Sequence, residues 1–387
     1  MKSILYVYLA DIESSSGITN KVNGICEAFE KNSFSWMLFT LSSKAEKIGL
    51  VSKNKYVLPS SYFEKKTELY SELDKFIKSQ TVFDIYFLRY PFASKELFYF
   101  MEKNPFKVII EHNTKEISEI RFSNSNSWIK KFKIRPTPSY VKLLIDVYWK
   151  PLFTEYYYGK KILGLAKMGV AVTQEIAKYE MSRNKSYKCV LLSNGVDVKR
   201  VPFYKRVLKE GEVVNIIMLV SSSSNWHGVD LIVKSFNKYK NNTIHLYLIG
   251  KISEKDQQEI SLNRNITSTG FLTSSEFDIY LKSAHLGLGS FGIFRKKLKE
   301  ATTLKVREYL ASGLPVFLGH IDSDIEQSEE LKKYARCMDI EKADIDWNTV
   351  YKWAVTLYKE EDINEKIRNI AFEQLDFGHY VNVLKSL

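Results

Sequence analysis

Two glutamates and a lysine have the types and spacing of a site that binds sugar hydroxyls and phosphate. In the stretch EATTLKVREYLASGLPV (residues 300–316), Glu300 and Glu308 lie eight positions apart and enclose Lys305. A carboxylate can accept two hydroxyl hydrogen bonds, as the diol of a ribose offers them, and a lysine ammonium neutralises phosphate. These residues therefore predict a ligand that carries both groups.

The same stretch predicts a short helix that begins beside these side chains. Thr302 or Thr303 can cap a helix that begins near Leu304, and Gly313 followed by Pro315 can end it. The first turn of a helix has unpaired N–H groups and the positive end of the helix dipole, which together favour a phosphate. The predicted buried stripe consists of Val306, Tyr309 and Leu310.

Short apolar runs alternate with amphipathic segments along most of the chain, which is typical of βαβ folds. Ten of these runs predict buried parallel strands, because β-branched and aromatic residues are frequent in them. The runs are ILYVYLA (4–10), SWMLFTL (35–41), VFDIYFLRY (82–90), FKVIIEHN (106–113), GVAVT (169–173), VNIIMLV (214–220), TIHLYLIG (243–250), ITSTGFL (266–272), HLGLGSF (285–291) and PVFLGHI (315–321). Residues 325–387 are predicted to be mainly helical.

The alternation stops near residue 190 and begins again after 212, so the sequence predicts two α/β domains. A chain of 387 residues is longer than one typical core requires. We predict two Rossmann-like, doubly wound domains that face each other across a cleft, at residues 1–190 and 213–360, with a linker at 191–212. Such sheets bind ligands beyond the carboxyl ends of their strands, so the chemistry is expected in strand-to-helix loops.

Three other strand-end loops contain polar residues whose function the sequence leaves open. Residues 14–17 (SSSG) lack a G-x-G-x-x-G spacing, and they form either a plain turn or a turn that meets an anion. His112 ends a predicted strand, where both a structural and a catalytic histidine are reasonable. Asn194-Gly195 is first of all a turn signal, with a functional role as the alternative.

The net positive charge of the chain lies entirely in its first half. Residues 1–200 contain 32 Lys+Arg and 20 Asp+Glu, and residues 201–387 contain 25 of each, which places the whole net charge of +12 in the first half. Residues 121–200 hold 16 basic and 5 acidic side chains among many aromatic residues. This composition fits an anionic membrane surface, and a solubilising face is the alternative. A nucleic-acid-binding protein that uses the basic first half is a further alternative, but a nucleic acid is not expected as a partner, because no reading module is recognisable.

The sequence indicates neither a disulfide framework, nor a metal site, nor export. The three cysteines, Cys26, Cys189 and Cys337, are widely separated and odd in number. The N-terminal apolar run of about seven residues is too short for a signal peptide. Because no apolar segment approaches the roughly 20 residues that span a bilayer, we expect a cytoplasmic protein. A two-lobed solute receptor is disfavoured because such proteins are exported and no signal peptide is recognisable here.

The stretch 300–316 resembles the nucleotide-sugar site of retaining GT-B glycosyltransferases of the large family four. The motif of that family is Glu, seven residues, Glu, followed by Ala-x-Gly-x-Pro-Val. Weaker similarities cover most of the chain: SNGVD (193–197) is similar to the inter-domain motif, NWHGVDLIVKSF (225–236) to the Lys-Gly helix start, and residues 268–292 to the segment before the glutamates. The resemblance implies a metal-independent transferase without a cofactor, since the nucleotide sugar is a substrate.

The resemblance also implies roles for individual residues. Glu308 would bind the donor ribose, and Glu300 the hydroxyls of the donor sugar. A helix at 361–387 would pack back on the first domain. The diphosphate would be bound by the amides of Ala301, Thr302 and Thr303 and by the helix start at Leu304. From the first domain, Gly17 and His112 would approach the diphosphate and the sugar. The nucleotide would be bordered by Gly250, Phe271 and Leu272.

The chain departs from the family pattern where a leaving diphosphate needs positive charge. The family has an arginine and a lysine after the strand at 214–220, whereas this chain has Ser221–Ser224 and His227, and its Ala-Asp aspartate is replaced by His285. We infer that Lys305 supplies the missing charge. The residues that can help it are Arg307, Arg295 and His227. An inactive GT-B protein with a binding or scaffolding role is the alternative that these departures leave open.

The basic first domain fits a growing glycan on an anionic lipid carrier, at the inner face of the plasma membrane. Bacterial-type surface polysaccharide or glycoconjugate assembly is the expected setting. Two Asp-x-Asp strings, at 322–324 and 344–346, match the metal motif of the other glycosyltransferase architecture. They lie too late in the chain for that site, and we interpret them as a loop and a helix-cap region.

Overall fold

The computed structural model describes residues 2–14, 17–80, 82–104, 107–126, 142, 145–338 and 344–387. The chain divides into two compact units, one formed by Met1–Leu192 with Val381–Leu387 and the other by Ser193–Tyr380. Each unit contains a sheet of mainly parallel strands connected through helices. The prediction of an α/β protein with two parallel-sheet domains is therefore confirmed.

The first unit is built on an eight-stranded sheet. Its strands are β1 (Ser3–Asp11), β2 (Ser35–Ser42), β3 (Gly49–Ser52), β4 (Lys55–Pro59), β5 (Ile85–Arg89), β6 (Val108–His112), β7 (Met168–Ala171) and β8 (Cys189–Leu191). Their order is β3-β4-β2-β1-β5-β6-β7-β8, and only the β3–β4 pair is antiparallel. The chain thus starts in the middle of the sheet and winds outward in both directions.

Helices connect these strands and cover their apolar side chains. The first helix buries Val22, Ile25 and Phe29, which recur at helical spacing. The helices of this unit are α1 (Gly17–Lys31), α2 (Lys66–Ser79), α3 (Lys95–Lys103), α4 (Glu116–Asn126), α5 (Lys150–Leu165) and α6 (Gln174–Arg183), with a π-helical turn at Ile145–Trp149 before α5 and a 3-10 turn at Ser60–Phe63.

The second unit contains a six-stranded, fully parallel sheet. Its strands are β9 (Val214–Val220), β10 (Ile244–Gly250), β11 (Ile266–Gly270), β12 (Leu286–Leu288), β13 (Val316–Leu318) and β14 (Ala335–Cys337). The order β11-β10-β9-β12-β13-β14 places the carboxyl ends of β9, β12 and β13 side by side. A ligand beyond these three ends therefore meets three successive loops.

The helices of the second unit follow its strands. They are α7 (Val229–Phe236), α8 (Glu254–Ile260), α9 (Ser274–Ser283), α10 (Leu304–Ala311), α11 (Ser323–Gln327), α12 (Glu329–Tyr334), α13 (Trp347–Leu357) and α14 (Ile363–Leu375), with 3-10 turns at Asn225–His227 and Ile293–Lys296. A last helix, α15 (Phe377–Ser386), crosses the boundary between the units. The helix predicted to begin near Leu304 and its buried stripe are confirmed.

Four short strands, β3, β4, β8 and β14, were not predicted, and residues 361–387 contain two helices where one was expected, of which Val381–Leu387 belong to the first unit. The strand β3 is mostly exposed, and β8 and β14 have only three residues, so periodicity could not reveal them. The helix expected at 361–387 is two helices, because Asp376 is extended and Val196 pairs with it. The first of them buries Ile367 and Ala371 in the core of the second unit.

No helix in the described part of the chain is both long enough and apolar enough to cross a membrane.

Candidate functional site

The most complete group of ligand-binding atoms lies at the N-terminus of α10. Its N-cap is Thr303, but the hydroxyl of this residue makes no capping hydrogen bond, so the predicted side-chain cap is wrong. Among the described residues, the amides of Thr303, Leu304 and Lys305 donate to no acceptor. The Thr303 Oγ1 atom is shielded from solvent and also has no partner. Three N–H groups and a hydroxyl at this turn are therefore unpaired within the described part of the chain.

The loop before this turn uses its own polar groups differently from the predicted pattern. The Ala301 amide donates to the Ile321 carbonyl oxygen at 2.9 Å, so the predicted contact of this amide with a diphosphate is wrong. Glu300 and Ile321 form a parallel bridge next to it. Thr302 is buried, and its carbonyl oxygen accepts a hydrogen bond from Asn194. The loop at 300–302 is thus fixed, and the free amides begin at Thr303.

Lys305 lies at the carboxyl end of β9 and is buried. Its Nζ atom donates to the Leu219 carbonyl oxygen at 3.0 Å. Burial lowers the pKa of Lys305 to about 7, because the charged ammonium is poorly solvated there. An anion bound beside it would favour the charged form, so the lysine is suited to receive a phosphate.

Glu308 lies one turn further along α10 and is partly buried. Burial raises the pKa of its carboxyl group to about 7. Within the described ranges, this carboxyl group has no hydrogen-bond or ion-pair partner. The second glutamate of the motif, Glu300, accepts a hydrogen bond from Ser323 Oγ at 3.2 Å. The motif therefore combines an oriented carboxylate with a carboxyl group that is free to bind hydroxyls.

Arg307 does not belong to the ligand site, contrary to the prediction. Its side chain is fully buried and forms a bidentate ion pair with Asp322, at 2.8 and 3.0 Å, and a further bond to Asp324. Its Nε atom donates to the Asn194 carbonyl oxygen at 2.8 Å. Because all of its donors face inward, the guanidinium stabilises the loops around α10 and has none to offer a phosphate.

The other two candidates for extra positive charge are also engaged. His227 is buried and stacks on Trp226, and burial followed by the nearby charge of Lys305 lowers its pKa to about 2. It is neutral at physiological pH, so the predicted charge contribution is wrong. Arg295 forms a bidentate ion pair with Asp230 at 2.8 and 2.7 Å. Lys305 is therefore the cation that the geometry assigns to the N-terminus of α10.

His112 does not fit the predicted role of orienting a sugar. It is fully buried at the end of β6, with Nδ1 at 3.0 Å from Glu116 and Nε2 at 3.0 Å from the Tyr187 hydroxyl. His112, Glu116 and Glu180 bring ligand-type atoms within 4.8 Å of one another, as a metal site does. Arg183 donates to Glu116 at 3.2 Å and to Glu180 at 2.9 Å. The guanidinium already partners these carboxylates, and the cluster is an internal ion network.

The remaining predicted positions lie in both units. Gly17 is the first residue of α1 in the first unit. Gly250 ends β10 with φ of 125°, and a Cβ atom there would lie 2.0 Å from the Val220 carbonyl oxygen, so glycine is required. Phe271 is exposed, whereas Leu272 packs against the core of the second unit. The nucleotide-binding roles of these positions stay predictions.

Sequence reasoning missed the residues that hold the site in place. Asp322 and Asp324 were interpreted as a loop, and they are the partners of Arg307. His285 accepts from the Asn215 amide at 3.0 Å and is part of the scaffold. The available signal was the position of Arg307 directly after Val306, a residue of the predicted buried stripe. An arginine that is buried requires acidic partners, so aspartates in nearby loops could have been sought.

No family model matches the chain, and neither does any curated protein sequence. Solved structures do match. A sucrose-phosphate synthase from Thermosynechococcus elongatus aligns over 100% of this chain and 98% of its own, with a TM-score of 0.68 and 12% identity. The apo form of the lipopolysaccharide outer core galactosyltransferase WaaB covers 100% of both chains, with a TM-score of 0.62 and 11% identity.

A third structure, HepE of Anabaena in complex with UDP and glucose, covers 100% of both chains, with a TM-score of 0.58 and 12% identity. These alignments over the full length of the chain confirm the predicted GT-B fold. Identities of this size show the fold alone.

The buried position of Arg307 leads to a stability prediction. Arg307→Met keeps much of the side-chain volume but leaves Asp322 and Asp324 without their cation, so the free energy of unfolding should fall by about 3–5 kcal/mol. The matched control is Arg295→Met, which removes a half-exposed bidentate pair and should cost less than about 1 kcal/mol. Urea unfolding measures both, and similar losses for the two variants would contradict the assignment.

Proposed function

We propose that the protein is a retaining glycosyltransferase of the family-four type, which binds a nucleotide sugar at the N-terminus of α10. The observation that supports this function best is the set of groups at that turn: three unpaired amides, the unpartnered carboxyl group of Glu308, and the Lys305 ammonium, whose one hydrogen bond is to the Leu219 carbonyl oxygen. They offer one surface to a diphosphate and one to a diol. The GT-B fold of the chain is consistent with this use.

Each part of the donor has a counterpart in the proposal. The diphosphate accepts from the Thr303, Leu304 and Lys305 amides and from the Lys305 ammonium, whose charged form it favours. Glu308 accepts the two ribose hydroxyls, and Glu300, oriented by Ser323, accepts hydroxyls of the transferred sugar. The donor thereby meets unpaired amides and the unpartnered Glu308 carboxyl group, together with two side chains, Lys305 and Glu300, that the protein already holds by hydrogen bonds.

The transfer step in the proposal requires no separate base. The bond between the anomeric carbon and the diphosphate oxygen breaks, and the acceptor oxygen forms a bond to the same face of that carbon. The proton of the acceptor hydroxyl passes to the departing phosphate oxygen. Preorganised N–H groups and Lys305 stabilise the charge that develops on the diphosphate, so we assign no metal ion to this step.

For the acceptor, we propose a glycan on an anionic lipid carrier, with the protein bound peripherally at the inner face of the plasma membrane. Support comes from helix α5 and the turn before it, where Trp149, Phe153, Tyr156 and Lys160 follow one another at helical spacing. The three aromatic side chains are 61%, 69% and 72% exposed. Aromatic rings beside lysines are typical of surfaces that rest on anionic bilayers.

Nucleotide binding is the first test of the donor site. We expect one of UDP, GDP, ADP or CDP to raise the melting temperature of the protein, and Lys305→Ala and Glu308→Gln each to weaken that binding about tenfold or more. Calorimetry gives the affinities. The exposed ion pair Lys332–Glu329 supplies matched controls, and Lys332→Ala and Glu329→Gln should bind like wild type.

Different outcomes of this test separate the proposals. If none of the four nucleotides binds to folded wild-type protein, the donor site is disproved and a scaffolding protein becomes the better interpretation. If a nucleotide binds but its sugars are not transferred to any lipid-linked glycan, the site is a binding site only. EDTA should change neither the binding nor the transfer.

The binding of the nucleoside diphosphate should be tightest near neutral pH. Lys305 must be charged to bind phosphate, so affinity should fall as the pH rises above its pKa of about 7. Glu308 must be ionised to accept two hydroxyls, so affinity should also fall as the pH decreases below its pKa of about 7. Calorimetry across this pH range measures both effects. In Lys305→Ala, the affinity should no longer decrease as the pH rises, and in Glu308→Gln, the decrease in affinity at low pH should be smaller than in wild type. A wild-type profile identical to those of both variants would contradict the assignment.

Liposome sedimentation tests the membrane surface. The full chain should sediment with vesicles that contain phosphatidylglycerol, and the double variant Phe153→Ser/Tyr156→Ser should bind them at least about tenfold more weakly, because it loses two side chains that insert. Leu262→Ser, which removes an apolar side chain that is 78% exposed in the second unit, is the control. Equal binding of the wild type to neutral phosphatidylcholine vesicles would exclude the charge argument.

A further inference from the structure

We infer that Asn194 is a positioning residue that sets the direction of the first of the three unpaired amides at the N-terminus of α10, that of Thr303. Its Nδ2 atom donates to the Thr302 carbonyl oxygen at 2.6 Å. Asn194 and Thr302 are far apart in sequence, and both lie in the second unit. The inference rests on the proposed function, because those amides are the groups assigned to the diphosphate.

The geometry of the peptide bond connects this hydrogen bond to the ligand site. The carbonyl of Thr302 and the N–H of Thr303 belong to one planar trans peptide group, so they point in opposite directions along one rigid unit. Holding the carbonyl therefore fixes where the N–H points. A hydrogen bond at the carbonyl also polarises the peptide group and makes its N–H a stronger donor. Asn194 thus acts on the first free amide of the turn without touching the ligand.

The backbone of Asn194 is itself held firmly. Its carbonyl oxygen accepts from Arg307 Nε at 2.8 Å. Two residues on, the Val196 amide donates to Leu375 at 3.0 Å, and the Val196 carbonyl accepts from Phe377 at 3.1 Å. These bonds restrict the backbone at Asn194 and directly after it. Asn194 therefore presents its amide from a fixed position, as a positioning residue must.

The chemistry of the side chain makes asparagine specific at this position. The bond to a carbonyl oxygen requires a donor, so the NH₂ group must face Thr302, and the oxygen atom must point away. That oxygen, Oδ1, is buried and has no hydrogen-bond partner. A residue kept only for stability would be expected to use both ends of its amide, because an unpaired buried acceptor costs free energy.

The test compares ligands with and without phosphates. For Asn194→Ala, the dissociation constant of whichever of UDP, GDP, ADP or CDP binds the wild type should rise about tenfold, while that of the matching nucleoside stays unchanged. Asn194→Asp places a carboxylate oxygen against a carbonyl oxygen and should weaken diphosphate binding at least as much. Both constants are measured by calorimetry at a temperature where every variant is folded.

A matched control is available at the other end of α10. The Asn364 Nδ2 atom donates to the Gly313 carbonyl oxygen at 2.8 Å, just beyond the C-terminus of the helix. Asn364→Ala should lower the melting temperature and leave diphosphate affinity as in wild type. A general loss of stability is thereby distinguished from a loss of amide orientation.

The possible results distinguish the positioning role of Asn194 from the proposed donor site. If the wild type binds a diphosphate and Asn194→Ala binds it equally well, the positioning role is excluded and the donor site stands. Equal weakening of nucleoside and diphosphate also excludes the positioning role, because it indicates a general disturbance of the site. If the wild type binds none of the four diphosphates, the proposed function fails and this inference fails with it.

Discussion

The buried ion pair between Arg307 and Asp322 is the interaction on which the second unit's candidate site depends. It joins α10 to the loop that follows β13, and the same guanidinium holds the carbonyl of Asn194. Three segments distant in sequence therefore meet at one side chain. A charge without exposure to water is stable only when its partners are complete, so these segments cannot shift independently. The free amides of α10 owe their fixed position to this constraint.

Charge is distributed unevenly around this ion pair. Arg307 is balanced by its two aspartates, whereas Lys305 and Glu308 on the same helix lack such partners. Burial lowers the pKa of Lys305 and raises the pKa of Glu308, both to about 7, and so disfavours the charged form of each. Lys305 therefore holds its proton less tightly than an exposed lysine does, and Glu308 holds its proton more tightly than an exposed glutamate does. A ligand with phosphate and hydroxyl groups would stabilise both charges together, which makes the pair selective for molecules that carry the two groups at the right separation.

The sequence was sufficient to predict the long elements and insufficient to predict the partners of polar side chains. Apolar runs such as 214–220 and 243–250 correspond to β9 and β10 almost residue for residue, because buried parallel strands need continuous apolar composition. The helix at Leu304 was predictable from its end signals. Arg307 was assigned to the ligand because its charge suits a phosphate, and His112 because the resemblance to the family implied it. Their real partners, Asp322 and Glu116, depend on how loops from different strands meet, and residue spacing contains no information about that contact.

The first unit is formed by two separate segments of the chain, and this affects the order in which the units can fold during synthesis. Residues 381–387 belong to the unit formed by residues 1–192, and Val381 and Leu384 are fully buried. Lys2 and Lys167 also donate to carbonyl oxygens of Lys385 and Leu387. The ribosome therefore delivers the whole second unit before it delivers the segment that completes the first. The first unit begins to be synthesised before the second. Its last residues are nevertheless added after the second unit is complete, so the second unit is the first to have all of its residues.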